Sequence, residues 1–204
     1  MSLQITLQNI SKKYNQNYVI KDFSYRFDSP GKYAILGSNG SGKSTLVRIL
    51  SGLFTVSKGE VIYTLNDKIL KPDELFNKFS LAAPWSDVIE DLTLREFINF
   101  HFTFRKRLGG IDDRTLIELS GLQDSADKFI HQYSSGMKQR VRLLQAFFTE
   151  SEVLLLDEPT SNLDAGGKQW YRMLADNYCG NRLVVVASNH LTEEYDFCEN
   201  RIEI

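Results

Sequence analysis

The sequence predicts an α/β fold, with a mostly parallel sheet that is entered through an antiparallel β region and interrupted by a helical insertion. Three observations predict it. The runs Val153-Leu154-Leu155-Leu156 and Leu183-Val184-Val185-Val186-Ala187 are apolar without alternation, as strands buried on both faces must be. Lys32-Tyr33-Ala34-Ile35-Leu36 is a third short apolar run, set between Pro30-Gly31 and a glycine-rich loop that opens a helix. From about residue 86 to about residue 150, apolar residues recur at helical spacing.

Taken in order, Leu3-Gln4-Ile5-Thr6-Leu7 alternates like a half-buried strand. Ser11 to Tyr18 is polar and reads as a loop, after which Val19-Ile20 restarts an extended stretch. Phe23, Tyr25 and Phe27 alternate with polar neighbours, and Asp28-Ser29-Pro30-Gly31 is a turn signal. The helix after the glycine-rich loop carries Leu46, Val47, Ile49 and Leu50 and stops near Gly52. Lys58 to Tyr63 reads as a turn and a strand, and Phe79 to Ala83 as a short strand stopped by Pro84. Thr93-Leu94-Arg95-Glu96 has the capping-box form, and Phe97, Ile98, Phe100, His101 and Phe104 continue that helix. Leu116, Ile117, Leu119 and Leu122 predict a second helix, and Trp170, Met173 and Leu174 one beyond the insertion. Arg201 to Ile204 suits a short edge strand. The expected organisation is one domain over 1–204, with a core of 1–85 and 151–204 and a helical subdomain of about 86–150.

Composition narrows the function. The 204 residues are 42% hydrophobic and 25% charged, as in a globular chain, and the net charge of −2 gives no electrostatic case for nucleic acid. Cys179 and Cys198 fit no metal motif and are expected as free thiols in a reducing compartment. No apolar stretch reaches the roughly 18–20 residues of a membrane span, and no apolar h-region follows Met1-Ser2-Leu3-Gln4. A cytoplasmic protein is expected, with any membrane role carried by a partner.

The chemistry begins at Gly37-Ser38-Asn39-Gly40-Ser41-Gly42-Lys43-Ser44, the phosphate-binding P-loop pattern, which here stands between a strand and a helix. Its glycines let backbone N–H groups approach phosphate oxygens, and the helix start through Thr45 adds free donors and the positive end of a dipole. Lys43 can reach the β- and γ-phosphates, and the Ser44 hydroxyl can ligate Mg²⁺. A second constellation lies where the run from Val153 ends in Asp157-Glu158-Pro159. A buried strand delivers Asp157 to the Mg²⁺ site, with Glu158 beside it to polarise an attacking water; this is the Walker B arrangement. Lys43, Ser44, Asp157 and Glu158 together supply metal, charge stabilisation and a positioned nucleophile for phosphoryl transfer to water. Between the two motifs, Tyr133-Ser134-Ser135-Gly136-Met137 precedes a helical pattern. By itself it reads either as an ordinary helix cap or as a second anion site.

On these motifs the chain resembles, over nearly its whole length, the ATP-binding subunits of ABC transporters. Ser134, Ser135 and Gly136 are similar to the family's signature, Ser161-Asn162-Leu163-Asp164 to its D-loop, and His190 to its switch histidine. Tyr14, with Tyr18 as the alternative, matches the aromatic that stacks on adenine. The resemblance implies a RecA-like P-loop NTPase core that binds ATP and Mg²⁺. It also implies two such domains packed head to tail, as a homodimer or with a related ATPase subunit. Each ATP then lies between one P-loop and the other chain's signature, with Asp164 nearby. Hydrolysis reopens the pair and drives a membrane-spanning partner, which holds the chain on the inner face of the membrane. Trp85 and the Phe97–Phe104 stretch are candidates for the surface that meets this partner.

The chain departs from that pattern in its signature, where Ser135 stands for the first glycine and Met137 for the glutamine, and in the loop after the strand at Phe79–Ala83. The family's glutamine, which contacts Mg²⁺ and the attacking water, would fall near Pro84, but the residues are Ala82-Ala83-Pro84-Trp85-Ser86-Asp87. Ser86, Asp87 or water are the candidates to substitute. Two further readings remain open: a soluble ABC-type ATPase uncoupled from transport, and an ATP-binding subunit with weak hydrolysis.

Overall fold

The computed structural model describes residues 2–204. The elements run β1 (Leu3–Tyr14), β2 (Asn17–Asp28), β3 (Gly31–Leu36), α1 (Lys43–Leu50), β4 (Lys58–Leu65), β5 (Lys68–Ile69), β6 (Phe79–Ala82), α2 (Leu94–Phe104), α3 (Asp113–Ser120), α4 (Ser135–Phe148), β7 (Val153–Asp157), α5 (Ala165–Tyr178), β8 (Leu183–Ser188), α6 (Thr192–Tyr195) and β9 (Asn200–Glu203). They form two sheets. One is antiparallel, in the order β2-β1-β4-β5; the other is the parallel sheet β6-β7-β8-β3-β9.

The parallel sheet decides where the chemistry sits. Leu36 pairs with Ser188, and Asp157 with Ala187. Because all five strands run the same way, the loop after β3, the acid ending β7 and the turn after β8 emerge at one edge. Ligands of open α/β sheets bind at that carboxyl edge.

Alternation along the strands splits the core in two. Leu154, Leu156, Val184 and Val186 pack with the helical insertion and α5. Val153, Leu155, Val185 and Ile35 pack with α1 and with Leu3, Ile5, Leu7 and Phe27 of the antiparallel sheet. Every residue of β7 and β8 is buried, which is why these strands carry unbroken apolar runs.

Between residues 86 and 150 the α-helices are α2, α3 and α4. Thr93 accepts from the Glu96 N–H at 3.2 Å, and the Glu96 carboxylate accepts from the Thr93 N–H at 2.9 Å, which closes the capping box of α2. The second predicted helix ends earlier than Leu122, because Gly121 caps α3 in the left-handed conformation.

The polar stretch from Ser11 to Tyr18 corrects its reading as a loop. It is the end of β1, a tight turn at Asn15-Gln16 and the start of β2, with Tyr14 facing Asn17. The register of the β1–β2 pair slips between Leu7 and Ile10, between Ile10 and Lys12, and between Lys12 and Lys13. Bulges put consecutive residues out of step with the pleat, so the alternation that marks a strand is lost there.

Candidate active site

The loop Gly37–Gly42 turns from β3 into α1. Gly42 caps the helix at φ 111°, a left-handed conformation that a Cβ would strain. At Gly37 a Cβ would lie 2.5 Å from both the Ile204 carbonyl and Ser41 Oγ, so the loop can close over β9 only with glycine there. Lys43 is buried, and its ammonium donates to the Gly37 and Ser38 carbonyls, each at 2.8 Å. The lysine is therefore held inside the curl of its own loop. Val19, Asn39, Gly40, Gly42, Lys43, Ser44, Thr45 and Glu158 line a cleft of about 330 Å³. The two motifs, more than a hundred residues apart, meet in it.

Asp157 is 1% exposed, and its Oδ1 is buried without a hydrogen-bond partner. Ser41 Oγ is likewise buried and unpaired. Buried polar atoms without partners are rare, and at a site they point to a ligand that completes them. The Ser44 hydroxyl in the cleft and the unpartnered Asp157 oxygen are hard oxygen donors of the kind that Mg²⁺ takes. Among the described residues no three His, Cys, Asp or Glu side chains could hold a metal by themselves.

Glu158 sits at φ 46° and His190 at φ 57°, both left-handed and neither glycine. Non-glycine residues held there cost on the order of 1–3 kcal/mol each and cluster at functional sites. His190 follows β8; its ring is 3.9 Å from the Glu203 carboxylate and it does not line the cleft.

The predicted signature lies elsewhere on the surface. Ser134 caps α4 by accepting from the Met137 N–H at 3.2 Å. Ser134 and Ser135 are exposed, and neither they nor Gly136 line the cleft beside Glu158. Gly136 packs on the loop after β7, where a Cβ would stand 2.8 Å from the Asn162 carbonyl. Gln139 of α4 donates to the Pro159 carbonyl at 2.9 Å, a second tie to that loop. Asp164 caps α5 through the Gly167 N–H at 2.7 Å.

Comparison with known proteins accords with this geometry. The family model described as ABC transporter matches residues 20–161, well over half of the chain. The chain belongs to the ABC transporter ATP-binding family. The ATP-binding protein YhcH of Bacillus subtilis (strain 168) is 30% identical over 212 residues, covering 100% of this chain and 67% of that protein. YybJ, from the same strain, is 28% identical over 207 residues, covering 98% and 92%. The dimeric structure of MJ0796, a bacterial ABC transporter cassette, superposes with a TM-score of 0.82 at 25% identity, covering 98% of this chain and 94% of that one.

Against that family, three features of this ABC ATP-binding chain were not anticipated or were read otherwise. First, Trp85, a candidate for the partner surface, also reaches the site: its indole Nε1 donates to Asp157 Oδ2 at 2.8 Å. Ser86, a candidate substitute for the glutamine, spends its hydroxyl within its own turn, on the Ala83 N–H and carbonyl. Second, Tyr14 is 42% exposed with its ring edge toward Phe54, 6.4 Å between centroids, and Val19 rather than Tyr14 lines the cleft. Third, Glu194, which sequence reasoning passed over, is 1% exposed. It accepts from the Thr160 N–H at 3.0 Å, the Thr160 hydroxyl at 2.7 Å and the Ser188 hydroxyl at 2.5 Å. One buried carboxylate thus ties the loop after β7 to the turn after β8. Burial pushes its pKa up, and these hydrogen bonds oppose that shift.

Proposed function

We propose that this chain is the ATP-hydrolysing subunit of an ABC transporter and that it works as a head-to-tail pair. The observation that carries the reading is the single cleft in which Lys43, Ser44 and Thr45 meet Glu158. Residues Gly37–Thr45 cradle the phosphates with backbone N–H groups and the start of α1, and the Lys43 ammonium balances the β- and γ-phosphate charge. Ser44 and Asp157 hold Mg²⁺, which when bound supplies charge neutralisation across the phosphates. Glu158 orients a water toward the γ-phosphorus. The water oxygen forms the new bond to phosphorus, the bond from phosphorus to the β,γ-bridging oxygen breaks, and ADP and inorganic phosphate result. His190 serves the γ-phosphate as the nucleotide-bound pair closes. Ser134, Ser135 and Gly136 act on the nucleotide of the other chain, with Asp164 at the junction. Tyr14 or Tyr18 covers the adenine; both are partly exposed at the tip of the β1–β2 hairpin.

No helix among the described residues is long and apolar enough to cross a membrane, so in this reading a membrane-spanning partner carries the transport path and holds the chain on the inner face. The exposed Phe100 and Phe104 of α2, at 48% and 65%, are the aromatic surface offered to that partner.

The test is ATP turnover of the purified chain against protein concentration, beside Glu158→Gln and with sizing in Mg-ATP. Turnover that rises faster than linearly, and a dimer trapped by the variant, are the expected results. Full turnover in Glu158→Gln would remove Glu158 from its role. A second reading, an ATP-binding subunit with weak hydrolysis, is favoured by the absence of a glutamine near Pro84. In that case ATP traps a dimer of the unsubstituted chain.

A further inference from the structure

The loop between β6 and α2 has no glutamine to offer the site, yet it reaches the Walker B acid. We propose that Trp85 is a positioning residue of the metal site: its indole N–H clamps one oxygen of Asp157 and leaves the other for the cation. The inference rests on reading the cleft as a Mg-ATP site.

The arrangement divides the Asp157 carboxylate into two unequal oxygens. Oδ2 accepts from Trp85 Nε1 at 2.8 Å, and Oδ1 is buried with no partner. An ionised carboxylate buried in this way is costly unless its oxygens are satisfied. The neutral indole donor meets half of that demand without adding a charge that would repel a cation.

The indole itself is held from two sides. The Arg48 guanidinium carbon lies 4.2 Å from the Trp85 ring centroid, and Arg48 belongs to α1, the helix that begins at the phosphate loop. The turn that carries Trp85 is closed by the Ser86 N–H on the Ala83 carbonyl at 3.0 Å. The Ser86 carbonyl in turn accepts from Arg142 of α4 at 2.8 Å. Trp85 therefore stands at the meeting of α1, β7 and the signature helix.

The chemistry of the side chain sets the kind of role. A glutamine amide offers a carbonyl oxygen that can ligate a cation, whereas an indole N–H only donates. Trp85 thus acts on the metal through Asp157. Its removal should loosen metal binding and leave the phosphate grip of the loop intact.

The experiment uses the full chain with ADP as probe. Calorimetric titration with ADP is run in EDTA and at a series of Mg²⁺ concentrations, for the unsubstituted chain and for Trp85→Phe. Phenylalanine keeps an aromatic ring under Arg48 and removes the donor together with the pyrrole half of the indole. The expected result is a Mg²⁺ half-saturation raised about tenfold, as for a lost hydrogen bond to a charged group, with ADP affinity in EDTA unchanged. An unchanged Mg²⁺ half-saturation overturns the inference.

A second measurement does not depend on that variant folding. The chain has two tryptophans, so Trp170→Phe leaves Trp85 as the sole emitter. Its emission should change when Mg²⁺ is added at saturating ADP and stay constant when ADP is added in EDTA. Identical emission in both conditions overturns the inference too. Failure of the unsubstituted chain to bind ADP at all would instead sink the reading of the cleft.

Discussion

Glu194 shows how much a single buried residue carries. Its carboxylate is the acceptor for Thr160 and Ser188, the residues that lead into the loop holding Asp164 and the turn holding His190. Glu194→Ala leaves three buried donor groups without that acceptor, and roughly 3 kcal/mol of stability should go with it. Urea denaturation measures the loss, and ATP turnover should fall with it because the loop after β7 and the turn after β8 lose their common tie. Glu194→Gln preserves shape and should cost less. Its deficit should also depend on pH with a definite sign. The folded-state pKa of Glu194 is raised above 4.5 by burial, so the folded chain holds this proton more tightly than the unfolded chain. The resulting stabilisation is full below pH 4.5 and is lost as pH rises through the folded pKa. Glutamine has no such proton, so the deficit of Glu194→Gln should narrow as pH rises; a deficit that widens would mean the carboxyl is not shifted upward. Lys43→Ala should weaken ATP binding about tenfold or more, since it deletes the one buried cation of the cleft. Equal affinity in a direct titration would refute the phosphate role.

Helix α2 carries two separable predictions. Thr93 and Glu96 cap each other, so Thr93→Ala should cost about 1 kcal/mol in denaturant unfolding. At the other end of the helix, His101 Nε2 lies 2.9 Å from Thr149 Oγ1, and that hydroxyl already donates to the Gln145 carbonyl. The imidazole must therefore donate from Nε2. Burial, with Arg105 nearby, holds its pKa down from 6.5 to about 4. Its contribution is full above pH 6.5 and is lost as pH falls through about 4. His101→Gln should flatten that part of the stability profile, and an unchanged acid limb would show that His101 does not titrate with folding. Elements of this kind were legible in the sequence, because a capping box and a helical period are local signals. The β1–β2 hairpin was legible only at its ends, because its three register slips break the alternation by which strands are read.

At the scale of the molecule, what could be read in advance follows from distance along the chain. The phosphate loop and the acid ending β7 are contiguous motifs, and the parallel sheet that brings them together is announced by unbroken apolar runs. The Trp85–Asp157 contact joins residues 72 positions apart, and no local pattern marks it. Glu194 hid behind Glu193, since paired acids in a first helical turn read as solvated. The separation of Ser134 and Ser135 from their own chain's cleft sets up the last prediction. If the signature serves the opposite chain, Lys43→Ala and Ser134→Ala damage different halves of one composite site. Each variant alone has no intact site. A mixed pair has one, built from the phosphate loop of the Ser134→Ala chain and the signature of the Lys43→Ala chain. Mixing the two purified variants should therefore restore ATP turnover that neither shows alone, and the restored rate should vanish when one partner also carries Glu158→Gln in the Ser134→Ala chain. A mixture as inactive as its parts would mean that phosphate loop and signature serve the same chain.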